Sequence, residues 1–470
     1  MSIIDVPVED VENFRNELAS IDRDGSRKWI YARQPKGTLY TARTIIATIL
    51  LTFFFAGPHI YVNGHPFMLL NLPERMFIVF GIPFMPQDFH LIVVLALSSL
   101  LSVALFTAIA GRIWCGFMCP QTIFLEMIFR RIEWFIEGSP KEQAILNASP
   151  WTKKKIVKKS FKHAIFFGIS FAIAHTFLAY IIGRDELLKI QLDDQMNHLA
   201  GLGMIIVFSF VFYAVFARFR EQACLIACPY GRYQSVLVDK HTIAVTYDFL
   251  RGEPRGKQHH CKSDVQSNQG DCIDCHQCVV VCPTGIDIRN GIQLECVNCT
   301  ACIDACNIVM KKINKPKGLI RYTSWEAVKN GTAKVFTARV KAYLAVWVIL
   351  ITILGYMFSK RTETETLILR QSGTTFIKQG NDAIGNLFNV MITNKTFGDK
   401  DIEIKILSPK NASMKLLGSF TPVKEFATLE SRILISIPKN SAVSGKTIIQ
   451  FGMYSNGKIL ETVQSAFIAP

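Results

Sequence analysis

Two runs of four cysteines with identical spacing constrain this chain more than any other feature of its sequence. Each run reads C-x-x-C-x-x-C-x-x-x-C, and the first is followed by Pro283. In two-cluster bacterial ferredoxins, such a run gives three thiolates to one iron-sulfur cluster and its fourth thiolate to the other. The spacing therefore predicts a domain built around two [4Fe-4S] clusters. The predicted ligands are Cys272, Cys275, Cys278 and Cys306 for cluster 1, and Cys296, Cys299, Cys302 and Cys282 for cluster 2.

Structural zinc is the alternative explanation for closely spaced cysteines, because zinc sites also use C-x-x-C knuckles. Two complete runs of four favour iron-sulfur clusters. One departure from the ferredoxin pattern is Asn307, which stands where proline usually follows the second run. Because proline is not a ligand, this departure affects the rigidity of the turn and leaves the cluster type unchanged. A further thiol, Cys261, follows two histidines and is interpreted as part of a solvated loop.

Five apolar runs have about the length that a bilayer requires, and they predict five membrane spans. Half of the residues are hydrophobic, yet the formal net charge is +15, and the Lys and Arg residues flank the apolar runs. This arrangement indicates membrane orientation, and no basic patch with interleaved aromatic residues points to nucleic acid. The predicted spans are about Thr44–Val62, Phe89–Ala110, His163–Ile182, Ala200–Phe219 and Ala342–Phe358.

A further apolar stretch, Pro66–Pro86, is interrupted by Pro73, Glu74, Arg75 and Pro83. Prolines and charges at these positions favour a re-entrant or interfacial stretch over a crossing. We therefore leave this stretch out of the predicted spans.

Basic residues are concentrated beside particular span ends, and this bias predicts the orientation of the chain. Lys and Arg residues cluster before the first span and again after the second. These sides are predicted to be cytoplasmic. The chain is then a multi-pass protein of the bacterial inner membrane, with residues 220–341 in the cytoplasm and the tail in the periplasm.

The tail alternates apolar and polar residues in short runs, such as Leu387–Ile392 and Arg432–Ile437, separated by turn residues. This pattern predicts a β-sandwich of about 100 residues. The predicted fold is multi-domain: a polytopic α-helical membrane domain, an inserted two-cluster bacterial ferredoxin-like domain and a C-terminal immunoglobulin-like β-sandwich. The predicted segments are 1–43 (cytoplasmic), 44–219 (membrane domain with four spans and a cytoplasmic loop), 220–341 (ferredoxin-like), 342–358 (fifth span) and 360–470 (sandwich).

Two further cysteine pairs follow the second and fourth spans in the same C-x-x-x-C-P pattern. The repetition indicates a repeated two-span unit that brings four thiols to one depth. If each pair lies on a helix, residues i and i+4 face the same side, as a metal or redox site requires. Thiolates suit Cu(I), zinc or iron-sulfur clusters, and buried cysteines of packed helices are the alternative. The four residues are Cys115, Cys119, Cys224 and Cys228.

Taken in this order, the features resemble the FixG/RdxA/CcoG family, accessory proteins for assembly of the cbb-type cytochrome c oxidase. The resemblance rests on GRIWCGFMCPQ (111–121), ACLIACPYGR (223–232), the eight cysteines of the two runs and the β-rich tail. It covers nearly the whole chain. Membrane ferredoxins of the NapH and NosR type also contain C-x-x-x-C-P motifs, so the five-span order with a sandwich tail is what distinguishes this family.

The resemblance implies a role in supplying copper to the oxidase, with reduction of Cu(II) to Cu(I) as the activity. Electrons from a cytoplasmic donor would enter the two clusters, and the four surface thiols would be candidate copper ligands. Further expected partners are the oxidase assembly and copper-transport proteins and membrane lipid. Two alternatives stay open: a quinol-linked electron-transfer subunit and a non-redox assembly scaffold. Missing haem ligands weigh against the first, and eight intact cluster ligands weigh against the second.

Overall fold

The computed structural model describes residues 20–21, 24, 26–72, 75–192, 199–256, 269–373, 375–379, 383–418, 422–439 and 445–470. Cys261 and its two neighbouring histidines lie outside the described residues. The chain forms two compact units. The first contains the described residues up to Pro58 with Ala96–Ala179 and Arg184–Leu350, and the second contains His59–Leu95, Tyr180–Gly183 and Ile351–Pro470.

Within the described part of the chain, five helices are long and apolar enough to cross a bilayer, so the five predicted spans are confirmed. Apolar side chains such as Ile49, Leu100 and Ile349 are more than half exposed on them. Such exposed apolar surface is typical of helices that face lipid. The spans are Thr38–His59, Pro86–Ala110, Lys153–Ile182, Leu199–Phe219 and Ala338–Ser359.

Each span differs from its predicted bounds at one end or both, and the first and third differ most. The first stops at a short 3₁₀ turn that contains Pro58, because proline lacks the N–H that would continue the helical ladder. The third begins at Lys153 rather than His163. Its basic first turns are part of the helix because Lys159 and Lys162 form ion pairs with Glu137, at 2.8 and 2.9 Å.

The helices are labelled in chain order. They are α1 (Thr38–Ala56), α2 (Phe89–Ala110), α3 (Ile113–Phe117), α4 (Pro120–Ile123), α5 (Arg130–Glu137), α6 (Pro140–Ala148), α7 (Lys153–Ile182), α8 (Arg184–Leu192), α9 (Leu199–Ala214), α10 (Pro229–Leu237), α11 (Phe249–Gly252), α12 (Gln277–Val280), α13 (Ala301–Lys312), α14 (Trp325–Asn330) and α15 (Ala338–Ser359), with π-helical stretches at Phe124–Phe129, Val215–Phe219 and Ala223–Ala227.

The strands are labelled in the same way. They are β1 (Tyr61–Val62), β2 (His65–Pro66), β3 (Leu69–Asn71), β4 (Met76–Val79), β5 (Ile82–Phe84), β6 (Ala244–Tyr247), β7 (Ile320–Thr323), β8 (Thr364–Arg370), β9 (Ile377–Gln379), β10 (Ala383–Asn394), β11 (Glu403–Ser408), β12 (Ser413–Leu416), β13 (Thr428–Pro438), β14 (Gly445–Ser455) and β15 (Lys458–Ala469).

The tail folds into two antiparallel sheets, and the predicted sandwich is confirmed. One sheet has the order β12-β13-β10-β8 with β9 beside β10, and the other has the order β11-β14-β15. Alternate residues of the long strands point inward, so that Val390, Ile435 and Phe451 are fully buried in a shared core.

The stretch Pro66–Pro86, which the sequence favoured as re-entrant or interfacial and not as a crossing, contains short strands and is not among the spans. Strands β3, β4 and β5 make an antiparallel sheet in the same unit as the sandwich. Next to it, the buried carboxylate of Asp88 accepts hydrogen bonds from Lys395 at 2.7 Å and from Arg361 at 3.0 Å. Strand pairing satisfies the backbone that Pro83 would have interrupted in a helix.

The cysteine runs belong to the first unit. Strands β6 and β7 pair with Tyr247 opposite Ile320, and both residues pack in one core with Cys272 and Cys278. Helix α12 carries Cys278 of the first run, and helix α13 carries Cys302 and Cys306 of the second. The short strand pair thus closes one side of the space around the thiols.

Candidate metal centres

The four thiols predicted to bind cluster 1 line one cavity. Cys272, Cys275, Cys278 and Cys306 share it with apolar residues that include Met310, Leu319 and Ile320. Its empty volume is about 350 Å³. The structure therefore brings together two parts of the chain, residues 272–278 and Cys306, that the interleaved ligand pattern pairs.

The four thiols predicted to bind cluster 2 line a second cavity, which Cys278 also borders. The four are Cys282, Cys296, Cys299 and Cys302. Their cavity has an empty volume of about 340 Å³, and its other walls include Val245, Ile286 and Ile288. Two cavities of nearly equal volume, each lined by its four predicted ligands, fit two copies of one cofactor. The ligand assignment itself stays a prediction, and this geometry supports it.

The loops around the two cavities have the same backbone shape. In each run, the residues two and four positions after the first cysteine have positive φ: Asp274 (50°) and His276 (51°), then Asn298 (52°) and Thr300 (66°). Alternating right- and left-handed residues turn successive backbone amides toward one concave side, which is how proteins hold anionic iron-sulfur clusters. A thiolate-bearing cluster is such an anion, so the loops fit it.

Burial makes several of these thiols difficult to ionise on their own. It raises the pKa of Cys278 and of Cys296 to about 12 each, and that of Cys299 to about 11. Without a cation, these sulfur atoms stay protonated at neutral pH. Metal ligands must be deprotonated, so folding and metal binding are coupled at these positions.

The missing proline after the second run has a structural explanation. Helix α13 continues through Cys306 and Asn307 to Lys312, which proline would disturb. The Asn307 side chain also accepts a hydrogen bond from the Gly318 backbone N–H at 2.9 Å. Asn307 thereby fixes the loop that leads to Leu319 and Ile320, two residues of the cluster 1 cavity.

The surface pairs do not lie on continuous helices, which corrects one part of the sequence interpretation. Cys115 is in α3 and Cys224 is in a π-helical stretch, whereas Cys119 and Cys228 are extended residues that precede α4 and α10. The residue before a proline is disfavoured in the α conformation, while proline itself is favoured at the first helical position. Each C-P step therefore ends one helix and begins another.

The four surface thiols nevertheless come together, and we call this group the four-thiol site. Arg112 of the first motif donates to the carbonyl oxygen of Gly231 in the second at 2.6 Å, and Gln234 Nε2, on the helix that Cys228 precedes, donates to the sulfur of Cys115 at 3.4 Å. The neighbouring thiols of Cys119, Cys115 and Cys228 each raise the pKa of Cys224. Burial raises the pKa of Cys224 to about 12 and also raises that of Cys115. The two motifs, about a hundred residues apart in sequence, thus form one site.

The four-thiol site packs directly on the loop of the cluster 2 cavity. A β-carbon on Gly116 would lie 2.6 Å from the carbonyl oxygen of Val297, so only glycine fits there without displacement. Cys115 packs in a small core with Val297 and Cys299. This contact, which we call the Gly116 seam, joins the first surface motif to the second ferredoxin run.

Two buried arginines of the membrane domain also hold the ferredoxin loops. Arg112 donates hydrogen bonds to the carbonyl oxygens of Leu294 and, at 2.6 Å, of Gly231. Its charge interacts favourably with Cys115 and Cys296. Arg130 donates to the carbonyl oxygen of Pro283 at 2.8 Å and forms a 3.2 Å ion pair with Glu126. The turn after Cys282 is therefore fixed from the membrane side.

Among the described residues, no group of three or more His, Cys, Asp or Glu side chains is suited to hold a single metal ion. This holds for the ferredoxin cysteines and for the four-thiol site alike.

The fold, the paired cavities and the five spans together define a membrane-bound iron-sulfur electron-transfer protein.

Three family profiles match this class of protein. Residues 219–325 match a 4Fe-4S dicluster domain, and residues 92–140 match a 4Fe-4S binding domain. Residues 354–470 match the IG-like fold at the C-terminus of FixG.

Curated relatives identify the family, and this chain belongs to the FixG/RdxA family. RdxA of Cereibacter sphaeroides is 30% identical over 431 residues, covering 88% of this chain and 90% of RdxA. Nitrogen fixation protein FixG of Rhizobium meliloti is 30% identical and covers 84% of this chain and 82% of FixG. RdxB of Cereibacter sphaeroides is 31% identical and covers 91% of this chain and 89% of RdxB. The predicted family resemblance is confirmed.

Sequence reasoning missed the residues that connect the sites. Arg112, Gly116 and Arg130 act through contacts with distant backbone atoms, which no local pattern reveals. Gln234 and Thr122, which hydrogen-bond to surface thiols, were missed for the same reason. The glycine inside C-G-F-M-C was the one available signal, since glycine often marks a close backbone approach.

Proposed function

We propose that this chain reduces Cu(II) to Cu(I) during assembly of a cbb-type cytochrome c oxidase, using electrons from a cytoplasmic one-electron carrier protein. Each Cu(II) ion gains one electron, and each carrier molecule loses one. The observation that carries the proposal is the Gly116 seam, which places a group of soft thiol ligands directly on a ferredoxin loop. This contact gives electrons a route from the ferredoxin-like domain to the four-thiol site, whether its thiols hold copper, whose Cu(I) form soft ligands favour, or a further metal centre.

The exposure of the thiols supports a direction for electron flow. Bound iron-sulfur clusters supply one-electron transfer. Of the twelve described cysteines, Cys275 alone is exposed, and it lines the cluster 1 cavity. The cluster 2 cavity instead meets the membrane domain through Val297 and Cys299. In this proposal, the carrier docks near Cys275, and electrons leave on the side of the four-thiol site.

The test is copper reduction by the purified, fully reduced protein under anaerobic conditions. Adding Cu(II) together with a Cu(I)-specific chelator should reoxidise the iron-sulfur absorbance and yield one Cu(I) for each electron removed. Cys272→Ser should lose the iron of cluster 1 and, with it, the reduction of copper. Cys261→Ser, which lies outside both runs, should keep both.

Other outcomes would favour the alternative functions. Clusters that stay reduced in the presence of Cu(II) but are reduced by a quinol would favour the quinol-linked subunit. A full complement of clusters that exchange electrons with neither would favour the scaffold.

We also propose that the chain lies in the bacterial inner membrane with its ferredoxin-like domain in the cytoplasm and its sandwich in the periplasm. The lysines at the start of the third span, Lys153–Lys155, support this orientation. The sandwich would then face the oxidase assembly and copper-transport proteins. Alkaline phosphatase, which needs the periplasm, should be active when fused after Ser359 and inactive when fused after Asn330. The reverse pattern would overturn the orientation.

A further inference from the structure

The two C-x-x-x-C-P motifs repeat each other in backbone geometry as well as in sequence. A left-handed residue precedes each first cysteine by four positions: Gly111 (φ 59°) before Cys115, and Arg220 (φ 52°) before Cys224. Each second cysteine is extended and caps a helix that begins with proline. The repeat therefore presents two equivalent pairs of thiols, as a ligand with internal symmetry would require.

The thiols have the surroundings of metal-bound thiolates. Gln234 donates from Nε2 to the sulfur of Cys115 at 3.4 Å, and the Thr122 hydroxyl hydrogen-bonds to Cys224. The guanidinium of Arg112 supplies positive charge beside Cys115. Hydrogen bonds and positive charge both stabilise the ionised form of sulfur. These contacts favour the ionised form at two of the four sulfurs, those of Cys115 and Cys224, and so oppose the effect of burial.

A single ion and a four-iron cube require different spacings of the sulfur atoms. Zinc-to-sulfur bonds are about 2.3 Å, so sulfurs around one such ion lie within about 4.6 Å of one another. No described group of three or more potential ligands is suited to one ion, and this result is the same for the eight ferredoxin cysteines. All four surface cysteines are also free of disulfide bonds. A four-iron cube, which holds its thiolates at separate corners, explains both sets of thiols.

We infer that Cys115, Cys119, Cys224 and Cys228 together bind a third cluster of the [4Fe-4S] class, shared between the two halves of the repeat. The match of residues 92–140 to a 4Fe-4S binding domain agrees with this assignment but contains only the first pair. The inference does not depend on copper as the electron acceptor. It replaces the copper ligation predicted for these thiols from the sequence, and that prediction becomes one outcome of the test.

The Gly116 seam places this third cluster in series with cluster 2. Cys115 shares a core with Cys299, and the charge of Arg112 interacts with both Cys115 and Cys296. The three clusters thus form one chain from the exposed Cys275 to the membrane surface. Cu(II) would receive its electron from the last of them.

The experiment measures iron, sulfide and copper in the anaerobically purified, reconstituted full-length protein. Three clusters give about twelve irons per chain, whereas the two ferredoxin clusters alone give about eight. We expect a loss of about four irons per chain in each of two double variants, Cys115→Ser/Cys119→Ser and Cys224→Ser/Cys228→Ser. Mössbauer and electron paramagnetic resonance spectra of both should keep the two ferredoxin signals. The control Cys261→Ser should keep all of the iron.

Several results would overturn the inference. About eight irons per chain in the wild-type protein would be enough to overturn it, whatever the variants show. A second contrary result is copper that is bound by the wild-type protein and lost in both double variants while the iron is kept. This result would mean that the four thiols bind copper. Iron loss in only one double variant would mean that the two pairs do not share a cluster. Failure of copper reduction with twelve irons present would contradict the proposed function and leave the third cluster standing.

Discussion

The ferredoxin runs and the four-thiol site gather the same ligands by different means. Each ferredoxin run shapes its loop locally, with paired left-handed residues such as Asn298 and Thr300. The ligand pattern predicts that each cluster also uses one thiol from the other run. The four-thiol site has no such loop, and depends on two helix breaks, at Pro120 and Pro229, in motifs that follow different spans. The first arrangement is encoded within about thirty-five residues, whereas the second exists only after the membrane helices have packed.

The largest expected effect tests the exchange of ligands between the ferredoxin runs. Cys282→Ala should remove cluster 2, about four irons, although the residue belongs to the first run. Cys306→Ala should remove cluster 1 in the same way. Iron analysis with paramagnetic resonance of the remaining cluster distinguishes the two. If Cys282→Ala removes the cluster of Cys272 and Cys275 instead, the interleaved assignment is wrong.

The Gly116 seam offers a matched pair of glycine substitutions. Gly116→Ala should lower stability by about 1–3 kcal/mol, because its β-carbon meets the backbone of Val297. Gly168→Ala is the control, since its β-carbon has no neighbour within 4 Å, and alanine there should be neutral or stabilise by up to about 1 kcal/mol. Thermal loss of the iron-sulfur absorbance in detergent measures both. If Gly116→Ala and Gly168→Ala lose the absorbance at the same midpoint temperature, the Gly116 seam is not a tight contact.

Replacing Arg112 tests how far a charge beside the four-thiol site reaches into the two ferredoxin clusters. Arg112→Gln removes a positive charge near Cys296, so the midpoint potential of cluster 2 should fall by an amount on the order of tens of millivolts. Cluster 1 should change less. Arg112→Lys keeps the charge and should recover most of the potential. A redox titration that shifts both clusters equally would indicate a general structural effect in place of a local charge.

The smallest expected effect concerns the residue where the second run departs from the ferredoxin pattern. Asn307→Ala loses the hydrogen bond to the Gly318 N–H and should destabilise the ferredoxin-like domain by about 1 kcal/mol. Asn307→Asp keeps an acceptor oxygen and should cost less. Thermal loss of the cluster 1 signal is the measurement. A larger loss for the aspartate than for the alanine would show that the amide N–H₂ group is what matters.

Local patterns predicted the parts of this molecule whose causes are local. Cysteine spacing and alternating strand residues predicted the paired cavities and the sandwich because each motif carries its own geometry. The predicted start of the third span was wrong because it left out the basic segment at the beginning of the helix. Hydropathy takes no account of the ion pair between Lys162 and Glu137, which lie on different helices. The stretch Pro66–Pro86 was correctly left out of the spans, but its strands were missed because its prolines and charges obscure the alternation that predicts strands.

The four-thiol site lies between these cases. Its members were predicted from the repeated motif, but the break before each proline contradicts the expected helical face. Arg112 could not have been assigned a role, because its acceptors at Leu294 and Gly231 are backbone atoms far along the chain.

Contacts of this kind decide which changes the ferredoxin insert tolerates. Arg112, Arg130 and Gly116 all meet main-chain oxygens of the insert, at Leu294, Pro283 and Val297. Carbonyl groups are the same in every amino acid, so these three contacts do not depend on which side chains stand at the acceptor positions. A one-residue insertion or deletion would instead shift every oxygen out of reach. We therefore expect chimaeras between relatives to succeed when loop lengths agree and to fail when they differ, whatever the sequence identity of the graft.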